Sequence, residues 1–537
     1  MCGIFSILSR KKNLNINDVI ECFEKGKNRG PENSNIKLIN NNIIFGFHRL
    51  AINGINDLNS MQPFNIKKCI LICNGEIYNY KKLYKLMNIS PITGSDCEVI
   101  IHCYKKYGIT HTLQLLDGVF AFILFDKETE NIFIARDTYG IRPLFISNDD
   151  DKYLFASEMK SLIDIPNRKN EIYQFTPGNC LKINIEKKME NIFSFSHCNS
   201  FINYNITTEN DALFAIKHSL INAVKKRVDN TEREITCLLS GGLDSSLIAS
   251  LVRRVIKNKP LHTWSIGLKG SEDLKYAKIV ADHINSIHHP IELEEEEFLD
   301  AIEKVIYDTE TYDTTTIRAS VGNWLISKYI KRDSNAKVVF NGDGSDEVTG
   351  GYMYFHCAPD SLEFDKECRR LLNDIHYFDV LRSDRSISSH GLEARTPFLD
   401  RSFVQTYLSI PHELRYHPKN NKCEKYLLRE AFRSMGILPN KILFRTKEAF
   451  SDGVSKQTRS WFQIIQEHIV KKCGEKYSNM EPKEAEKQYY KDIFDKYYPN
   501  QRDIIPYLWM PKYVDADDAS ARTLDIYKRN LGNQTGK

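Results

Sequence analysis

Short apolar runs separated by turn residues dominate the first part of the chain. Four of them predict strands, because they are rich in β-branched and aromatic residues: 43–47, 70–73, 119–125 and 132–135. The run at 120–125 is apolar at consecutive positions, which predicts a sheet covered on both faces. One longer helical pattern, at residues 98–107, interrupts the strands. Together these patterns predict a layered α/β/β/α domain.

The pattern changes after residue 210, where amphipathic helical stretches alternate with buried strands. Such alternation predicts βαβ units and a parallel sheet. The predicted helices are 211–228, 246–256 and 275–284, and the predicted strands are 234–239, 262–266 and 337–340. Beyond residue 365 the chain is predicted to be mostly helical, with turns at Pro397, Pro411 and Pro439.

A polar stretch at residues 191–210, rich in Asn, Ser and Thr, is the predicted linker between two domains. The first domain is assigned to residues 2–190 and the second to residues 211–537. A chain of 537 residues that is 42% hydrophobic has room for at least two cores.

Charge and composition restrict the partners. The 74 Lys and Arg residues nearly balance 70 Asp and Glu, and no basic stripe points to a nucleic acid, so small-molecule substrates are expected. No apolar run approaches the ~20 residues that span a bilayer, and the start lacks a secretory signal pattern. We therefore expect no membrane association and a cytoplasmic location. The 13 cysteines show no metal-ligand spacing and are expected to be reduced. A homodimer is left open.

Cys2 follows the first methionine, so removal of Met1 would place a thiol and a free α-amine on one residue. An α-amine titrates near ~7.7–8.0 and a thiol near ~8.5, so the amine can accept the thiol proton near neutral pH. The alternative for these residues alone is an ordinary buried cysteine.

A loop rich in glycine and serine, Leu238-Leu239-Ser240-Gly241-Gly242-Leu243-Asp244-Ser245-Ser246, lies where a predicted strand ends and a helix begins. Its glycines permit a tight turn, and its hydroxyls and the helix N-terminus can bind phosphate. Asp244 fits a Mg²⁺ ion carried with the phosphates. Asp346 lies in a second strand-end loop and is the natural second carboxylate. No lysine follows the glycines, which excludes a Walker A loop.

This loop resembles the pyrophosphate loop of the ATP pyrophosphatase superfamily. Further motifs in the first half are Cys2-Gly3-Ile4, Arg29-Gly30-Pro31, His48-Arg49-Leu50-Ala51-Ile52, Asn74-Gly75-Glu76-Ile77-Tyr78-Asn79, Gly94-Ser95-Asp96 and residues 136–144. In the second half they are the serine and glycine loop, residues 310–313 and 315–320, residues 391–400 and residues 447–453. On these motifs the chain as a whole resembles glutamine-dependent asparagine synthetases.

For the first half, the resemblance implies an N-terminal-nucleophile amidotransferase in which Cys2 attacks the side-chain amide of glutamine. The Asn74 side chain and the Gly75 N–H would hold the oxyanion. Arg49 would bind the α-carboxylate of glutamine and Asp96 its α-ammonium. The other implied glutamine-binding positions are Leu50, Ala51, Ile52, Asn53 and Glu76.

For the second half, the resemblance implies that ATP adenylates aspartate and that ammonia from glutamine attacks β-aspartyl-AMP. Asp244 and Asp346 would hold Mg²⁺, and Lys447 would neutralise phosphate charge. The implied ATP-binding residues are Leu238, Ser240, Gly241, Gly242, Asp244, Ser245, Ser246, Ile266, Asn341 and Gly342. The residues implied for aspartate or phosphate are Thr315, Thr316, Arg318 and Arg395.

Asp343 departs from the family pattern, which has a glutamate that acts at the adenylate intermediate. Asn341 in the same loop stands where the family has serine. A displacement of ~1 Å can cost roughly 100-fold in rate, so either the loop compensates or the second half-reaction is slow. Two alternatives stay open: a synthetase of another product, such as a relative of β-lactam synthetase, and a nucleotide-binding regulator without turnover.

Overall fold

The computed structural model describes residues 1–527 except 12, 167, 169, 185, 186, 188, 197–200 and 421. Its first part contains strands β1 (Gly3–Ser9), β2 (Asn33–Asn40), β3 (Ile43–Arg49), β4 (Phe64–Ile66), β5 (Cys69–Ile77), β6 (Gly118–Asp126), β7 (Asn131–Arg136), β8 (Phe145–Asn148), β9 (Lys152–Ala156), β10 (Tyr173–Gln174), β11 (Asn179–Asn184) and β12 (Met189–Ser194). They form two six-stranded sheets in the orders β10-β8-β9-β1-β3-β2 and β12-β11-β7-β6-β5-β4.

The two sheets pack face to face because apolar residues from each share one core, including Phe45 and Phe47 of β3 and Ile123 of β6. Helices α1 (Ile20–Glu24), α2 (Tyr80–Met87), α3 (Val99–Leu115) and α4 (Lys160–Ile163) belong to the same part. Helices α2 and α3 cover the outer face of the second sheet, and α1 and α4 cover that of the first. The predicted α/β/β/α layering is confirmed, although α3 extends beyond residue 107 through a kink at Gly108.

The second part contains strands β13 (Ile235–Leu238), β14 (His262–Leu268), β15 (Ile287–Leu293), β16 (Val338–Phe340) and β17 (Glu393–Arg395). They form one sheet in the order β15-β14-β13-β16-β17, with every neighbouring pair parallel. The predicted parallel sheet is confirmed. Strands β15 and β17 were not predicted, because His, Pro, Glu and Arg interrupt their apolar pattern.

Helices cover both faces of this parallel sheet. They are α5 (Glu209–Asp229), α6 (Leu243–Ile256), α7 (Glu272–Ile284), α8 (Glu295–Asp300), α9 (Ile302–Thr309), α10 (Thr314–Asp333), α11 (Ser345–Thr349), α12 (Ser361–Asp374), α13 (Asp379–Ser388), α14 (Arg401–Ser409), α15 (His412–Arg415), α16 (Tyr426–Arg433), α17 (Asn440–Leu443), α18 (Phe450–Gly453), α19 (Trp461–Lys472), α20 (Glu475–Ser478) and α21 (Pro482–Tyr497). Within the described ranges, no helix is both long and apolar enough to traverse a lipid bilayer.

The connection between the two parts is shorter than the predicted linker at 191–210. Residues 191–194 belong to β12, which pairs with β11. Helix α5 begins at Glu209, where Thr208 and Asp211 form a capping box. The polar composition that suggested a linker therefore includes an edge strand and a helix cap. Residues 197–200, and residues 528–537 of the predicted second domain, lie outside the described residues.

The central strand β13 has β14 on one side and β16 on the other, so the sheet order switches direction at β13. In an open parallel sheet, ligands bind at the carboxyl ends of the strands at such a switch point. Two loops meet there: residues 239–242 after β13 and residues 341–344 after β16. The fold therefore brings together the two loops from which the sequence predicted a nucleotide site.

Candidate active sites

Cys2 lies at the start of β1, half-buried, and its Sγ donates to the backbone oxygen of Leu50 over 3.6 Å. Burial raises the pKa of the Cys2 thiol to about 11. Met1 is buried beside it, and the Met1 α-amine donates to the Leu392 backbone oxygen over 3.2 Å. Burial lowers the pKa of that amine to about 6. With Met1 attached, the thiol is therefore held in its protonated form at neutral pH.

Strand β5 carries Asn74, whose buried side-chain amide forms no hydrogen bond with any described residue. Asn74 is 1% exposed, and neither its Nδ2 nor its Oδ1 has a hydrogen-bond partner among the described residues. Buried polar groups are nearly always paired, so an unpaired amide indicates a group reserved for a ligand. The next residue is Gly75, where a Cβ atom would lie 2.6 Å from the Val119 backbone oxygen. Only glycine fits that position.

Arg49 and Asp96 both contact the segment around Asn53, and both side chains are buried. The Arg49 Nη2 donates to the Gly54 backbone oxygen over 2.6 Å. The Asp96 Oδ2 accepts from the Ile77 N–H at 2.6 Å, and its Oδ1 accepts from the Asn53 side chain at 3.4 Å. Burial raises the pKa of Asp96 to about 6. The remaining predicted glutamine-binding residues Leu50, Ala51 and Ile52 form a buried segment directly after β3.

Glu76 and Arg395 meet at the junction of the two parts of the chain. The Glu76 Oε2 accepts from Asn230 at 2.8 Å and from the Arg395 Nη2 at 3.2 Å. Arg395 is 1% exposed, and its other contacts go to Glu393 and to backbone oxygens in and after helix α5. The assignment of Arg395 to aspartate or phosphate stays a prediction, and in the structure each guanidinium nitrogen of Arg395 donates to an acceptor within the protein at this junction.

A cavity with an empty volume of about 1480 Å³ opens at the carboxyl ends of β13, β14 and β16. Most of the residues predicted for the second site line it. They are Leu238, Ser240, Gly242, Asp244, Ser245, Ile266, Thr315, Thr316, Asn341, Gly342, Asp343, Asp346 and Lys447.

Gly241 and Ser246 were predicted to contact ATP, but they do not line this cavity. Gly241 has a φ of 73°, and a Cβ there would lie 2.4 Å from the Ala277 backbone nitrogen. Ser246 is fully buried beneath the loop. These two residues shape the loop, whereas the Ser240 and Ser245 hydroxyls, 3.0 Å apart, face the cavity.

Two lysines bridge the two predicted metal carboxylates. The Lys425 Nζ lies 2.6 Å from both the Asp244 Oδ2 and the Asp346 Oδ1. The Lys447 Nζ lies 2.6 Å from the Asp346 Oδ2 and 3.6 Å from the Asp244 Oδ2. Burial opposes ionisation of Asp346, but the two ammonium groups outweigh it and lower the pKa of Asp346 to about 2. The sequence analysis did not identify Lys425, because it lies in neither glycine-rich loop and is far from Asp244 and Asp346 along the chain.

Asp343 is held by two donors rather than left free. Its Oδ1 accepts from the Arg382 Nη2 at 2.8 Å, and its Oδ2 accepts from the Asn341 Nδ2 at 2.7 Å. Arg382 also pairs with Asp379 at 3.2 Å. Arg382 and Asp379 lie on helix α13 and line the cavity, but no local sequence signal identified them.

Arg318 lies apart from the cavity residues. Its guanidinium group binds the Glu486 carboxylate at 2.7 and 2.8 Å and the Asp518 carboxylate at 2.6 and 2.8 Å. It does not line the cavity, unlike Thr315 and Thr316 on the same helix. Arg318 therefore anchors carboxyl-terminal segments in the structure, and its assignment to aspartate or phosphate stays a prediction.

The two halves of the chain match two families. Residues 1–209 match the glutamine amidotransferase domain family, and residues 215–363 and 358–512 match the asparagine synthase family. The chain is 41% identical to the glutamine-hydrolyzing asparagine synthetase of Homo sapiens and 41% identical to that of Pongo abelii. It is 42% identical to the same enzyme of Gallus gallus. Each of these alignments covers 98% of this chain and 99% of the relative.

Proposed function

The chain belongs to the family of glutamine-hydrolysing asparagine synthetases, and from this we propose that it makes L-asparagine from L-aspartate, ATP and glutamine. The observation that carries the proposal is the presence of two complete sites in one chain. One is the Cys2 thiol with the unpaired Asn74 amide. The other is the cavity at the switch point of the parallel sheet, with Asp244, Asp346 and Lys447 in its wall.

In the first site, Cys2 acts as the nucleophile once Met1 has been removed. The freed α-amine takes the thiol proton, and the sulfur attacks the side-chain carbonyl carbon of glutamine. The Asn74 Nδ2 and the Gly75 N–H stabilise the oxyanion. The proton then passes to the departing nitrogen, which leaves as ammonia, and water hydrolyses the thioester to glutamate.

Arg49 and Asp96 bind the amino-acid end of glutamine in this proposal. The Arg49 guanidinium group suits a carboxylate because it presents parallel N–H donors. Asp96 offers a buried negative charge to the α-ammonium, and Asn53 orients it. The backbone of Leu50, Ala51 and Ile52 completes the wall.

In the second site, a carboxylate oxygen of aspartate attacks the α-phosphorus of ATP, pyrophosphate leaves, and β-aspartyl-AMP forms. Lys447 and Lys425 neutralise negative charge on the phosphates. Mg²⁺ usually binds through one or two carboxylates plus substrate phosphates. Asp244 and Asp346, in the first turns of helices α6 and α11, would supply those carboxylates, and both of them pair with Lys425 in the structure. When bound, the ion would neutralise charge on the leaving pyrophosphate. Ammonia then attacks the acyl carbon, and AMP leaves.

Ammonia reaches this acyl group through the protein interior, because protonation in bulk water would remove its lone pair. We assign the residues up to the end of β12, Ser194, to the glutaminase domain and the residues from the start of α5, Glu209, to the synthetase domain. The junction near Glu76 and Arg395 lies between the two sites and is closely packed with polar side chains. A homodimer and a cytoplasmic location stay predictions.

Pyrophosphate release tests the proposal. With aspartate, ATP and Mg²⁺ present, continued release of pyrophosphate should require glutamine or ammonia. Asparagine should form in the same reaction. The Cys2→Ala variant should lose glutamine use and keep ammonia use. No pyrophosphate under any condition would overturn the proposal and favour a regulator. Release driven by a different acid would favour a synthetase of another product.

A further inference from the structure

One wall of the synthetase cavity carries a carboxylate that the chemistry above leaves unused. Glu347 follows Asp346 in helix α11, lines the cavity and is 3% exposed. Its Oε1 accepts from the Tyr352 hydroxyl at 2.6 Å. Its Oε2 is buried and has no hydrogen-bond partner among the described residues. A buried carboxylate oxygen without a donor is costly, so this oxygen is suited to a donor that a ligand brings.

Three cations of the cavity lie against carboxylates other than Glu347. Lys425 and Lys447 pair with Asp244 and Asp346. Arg382 pairs with Asp343 and Asp379. Over the described part of the chain, no Lys or Arg forms an ion pair with Glu347. Asp379 also lines the cavity. Asp379 therefore has a cationic partner in Arg382, whereas Glu347 has none among the described residues, and a bound ammonium group would supply one.

We propose that Glu347 binds the α-ammonium group of the amino-acid substrate, with Asp379 adding to the negative potential. The inference rests on the proposed function and names the part of the cavity that recognises aspartate. Aspartate carries two carboxylates and one ammonium group, and only the ammonium is attracted to this wall. Binding it there directs the carboxylates away from Glu347 and towards the lysines and the phosphates. The contact also distinguishes an α-amino acid from a plain dicarboxylic acid.

The Glu347→Gln variant tests this role, since it keeps the shape and the acceptor for Tyr352 but removes the charge. A charged hydrogen bond of this kind is worth roughly 10- to 100-fold in binding. With ammonia as nitrogen source, the KM for aspartate should rise by about that factor, whereas the KM for ATP and the glutaminase rate should stay unchanged. The matched control is Tyr352→Phe, which removes the orienting hydroxyl and leaves the carboxylate; it should keep most of the preference for aspartate.

Succinate, which lacks the ammonium group, gives a second measurement on the unaltered protein. The inhibition constant of succinate in aspartate-dependent pyrophosphate release should be at least about tenfold higher than the KM for aspartate. In the Glu347→Gln variant the ratio of these two constants should be smaller. The inference is overturned if succinate binds the wild-type protein as well as aspartate does. It is also overturned if Glu347→Gln retains the wild-type KM for aspartate. Failure of the wild-type protein to release pyrophosphate with aspartate would refute the proposed function instead, so the two failures are distinct.

Discussion

Arg29 and Asp384 form a buried, two-pronged ion pair that joins the two halves of the chain. The Arg29 Nη1 lies 2.7 Å from the Asp384 Oδ2, and its Nη2 lies 3.2 Å from the Oδ1. The Arg29 Nε also donates to the backbone oxygen of Cys2 over 3.0 Å. Asp384 lies on helix α13, which carries Arg382 into the synthetase cavity. Helix α13 therefore contacts both sites: its Asp384 binds Arg29, which binds the Cys2 backbone, and its Arg382 binds Asp343.

The Asp384→Asn substitution should lower the free energy of unfolding and reduce the use of glutamine-derived ammonia at the synthetase site. The variant would leave Arg29 with Glu158 as its one charged partner, 3.4 Å from the Arg29 Nη1, and loss of one partner of a buried ion pair costs of order 3 kcal/mol. We expect a lower unfolding midpoint in urea and a larger loss of glutamine-dependent than of ammonia-dependent asparagine synthesis. Both activities and the midpoint can be measured on the same preparation.

The exposed pair Lys278 and Asp282 provides the control for that experiment. Both side chains are more than 60% exposed, and an exposed ion pair contributes at most about 1 kcal/mol. The Asp282→Asn variant should therefore match the wild-type protein. Equal midpoints for Asp282→Asn and Asp384→Asn would contradict a structural role for the buried pair.

The carboxyl-terminal segment holds the loop that supplies Lys447. The Arg522 Nε donates to the Glu448 Oε1 over 2.9 Å, and the Ser520 Oγ donates to the Asp452 Oδ1 over 2.7 Å. Glu448 directly follows Lys447, so a displaced Glu448 shifts the ammonium group. Arg522→Gln should lower the kcat of pyrophosphate release by roughly tenfold or more, because misplacement of ~1 Å can cost about 100-fold.

Glutamine hydrolysis is the internal standard for the Arg522 experiment, because Cys2 belongs to the other half of the chain. The Arg522→Lys variant keeps the charge but cannot make the same set of guanidinium contacts, and it should recover only part of the rate. If Arg522→Gln lowers glutamine hydrolysis and pyrophosphate release equally, the effect is a general loss of folding and not a displaced Lys447.

Features encoded locally were predictable from the sequence, and features that depend on distant partners were not. In the loop from Ser240 to Ser245, the glycine turn, the hydroxyl groups and the start of the helix are encoded by consecutive residues. Ser240 and Ser245 both line the cavity, as the sequence predicted. Lys425 and Arg382 reach the same cavity from distant helices and were missed. Arg318 and Arg395 were assigned to ligands because a sequence does not reveal that Glu486 or Glu393 already pairs with them. A buried arginine of an internal ion pair and one of a binding site are the same residue type.

The pKa of Asp96 makes a prediction about stability and pH. Burial raises it from 3.8 to about 6, so between these values the folded protein binds more protons than the unfolded chain, and Asp96 reduces stability as the pH rises. Asp96→Asn removes this cost. Its free energy of unfolding relative to the wild type should increase between about pH 4 and pH 6 by order 3 kcal/mol and then level off.

The same variant should bind glutamine poorly, since the negative partner of the α-ammonium is gone. Its KM for glutamine should rise, while ammonia-dependent synthesis should be retained. In the wild-type protein, the KM for glutamine should rise as the pH falls below about 6, where Asp96 becomes protonated. A KM for glutamine that is constant between pH 5 and pH 8, measured by glutamate release, would exclude Asp96 as this partner.

Asp343 and Asn341 should behave as a coupled pair. The family has glutamate and serine at these positions, and here the shorter Asp343 accepts from the Asn341 amide at 2.7 Å and from Arg382 at 2.8 Å. Lengthening Asp343 alone pushes its carboxylate against both donors, so Asp343→Glu should lower the kcat of ammonia-dependent synthesis. Asn341→Ser alone removes one donor from Asp343 and should lower it as well. The double variant restores the family pair, and its rate should exceed that of either single variant.

Residues in one hydrogen-bond network show interaction energies of about 0.5–3 kcal/mol, which corresponds to roughly 2- to 150-fold in this cycle. The measurement is asparagine formed at saturating ammonia, with ATP and aspartate also saturating, for all four proteins. Arg382 is unchanged in all four proteins. If the rate of the double variant differs from the rate calculated from the two single variants, the difference therefore measures the interaction between Asp343 and Asn341. Additive effects would mean that Asn341 does not compensate for the methylene that Asp343 lacks.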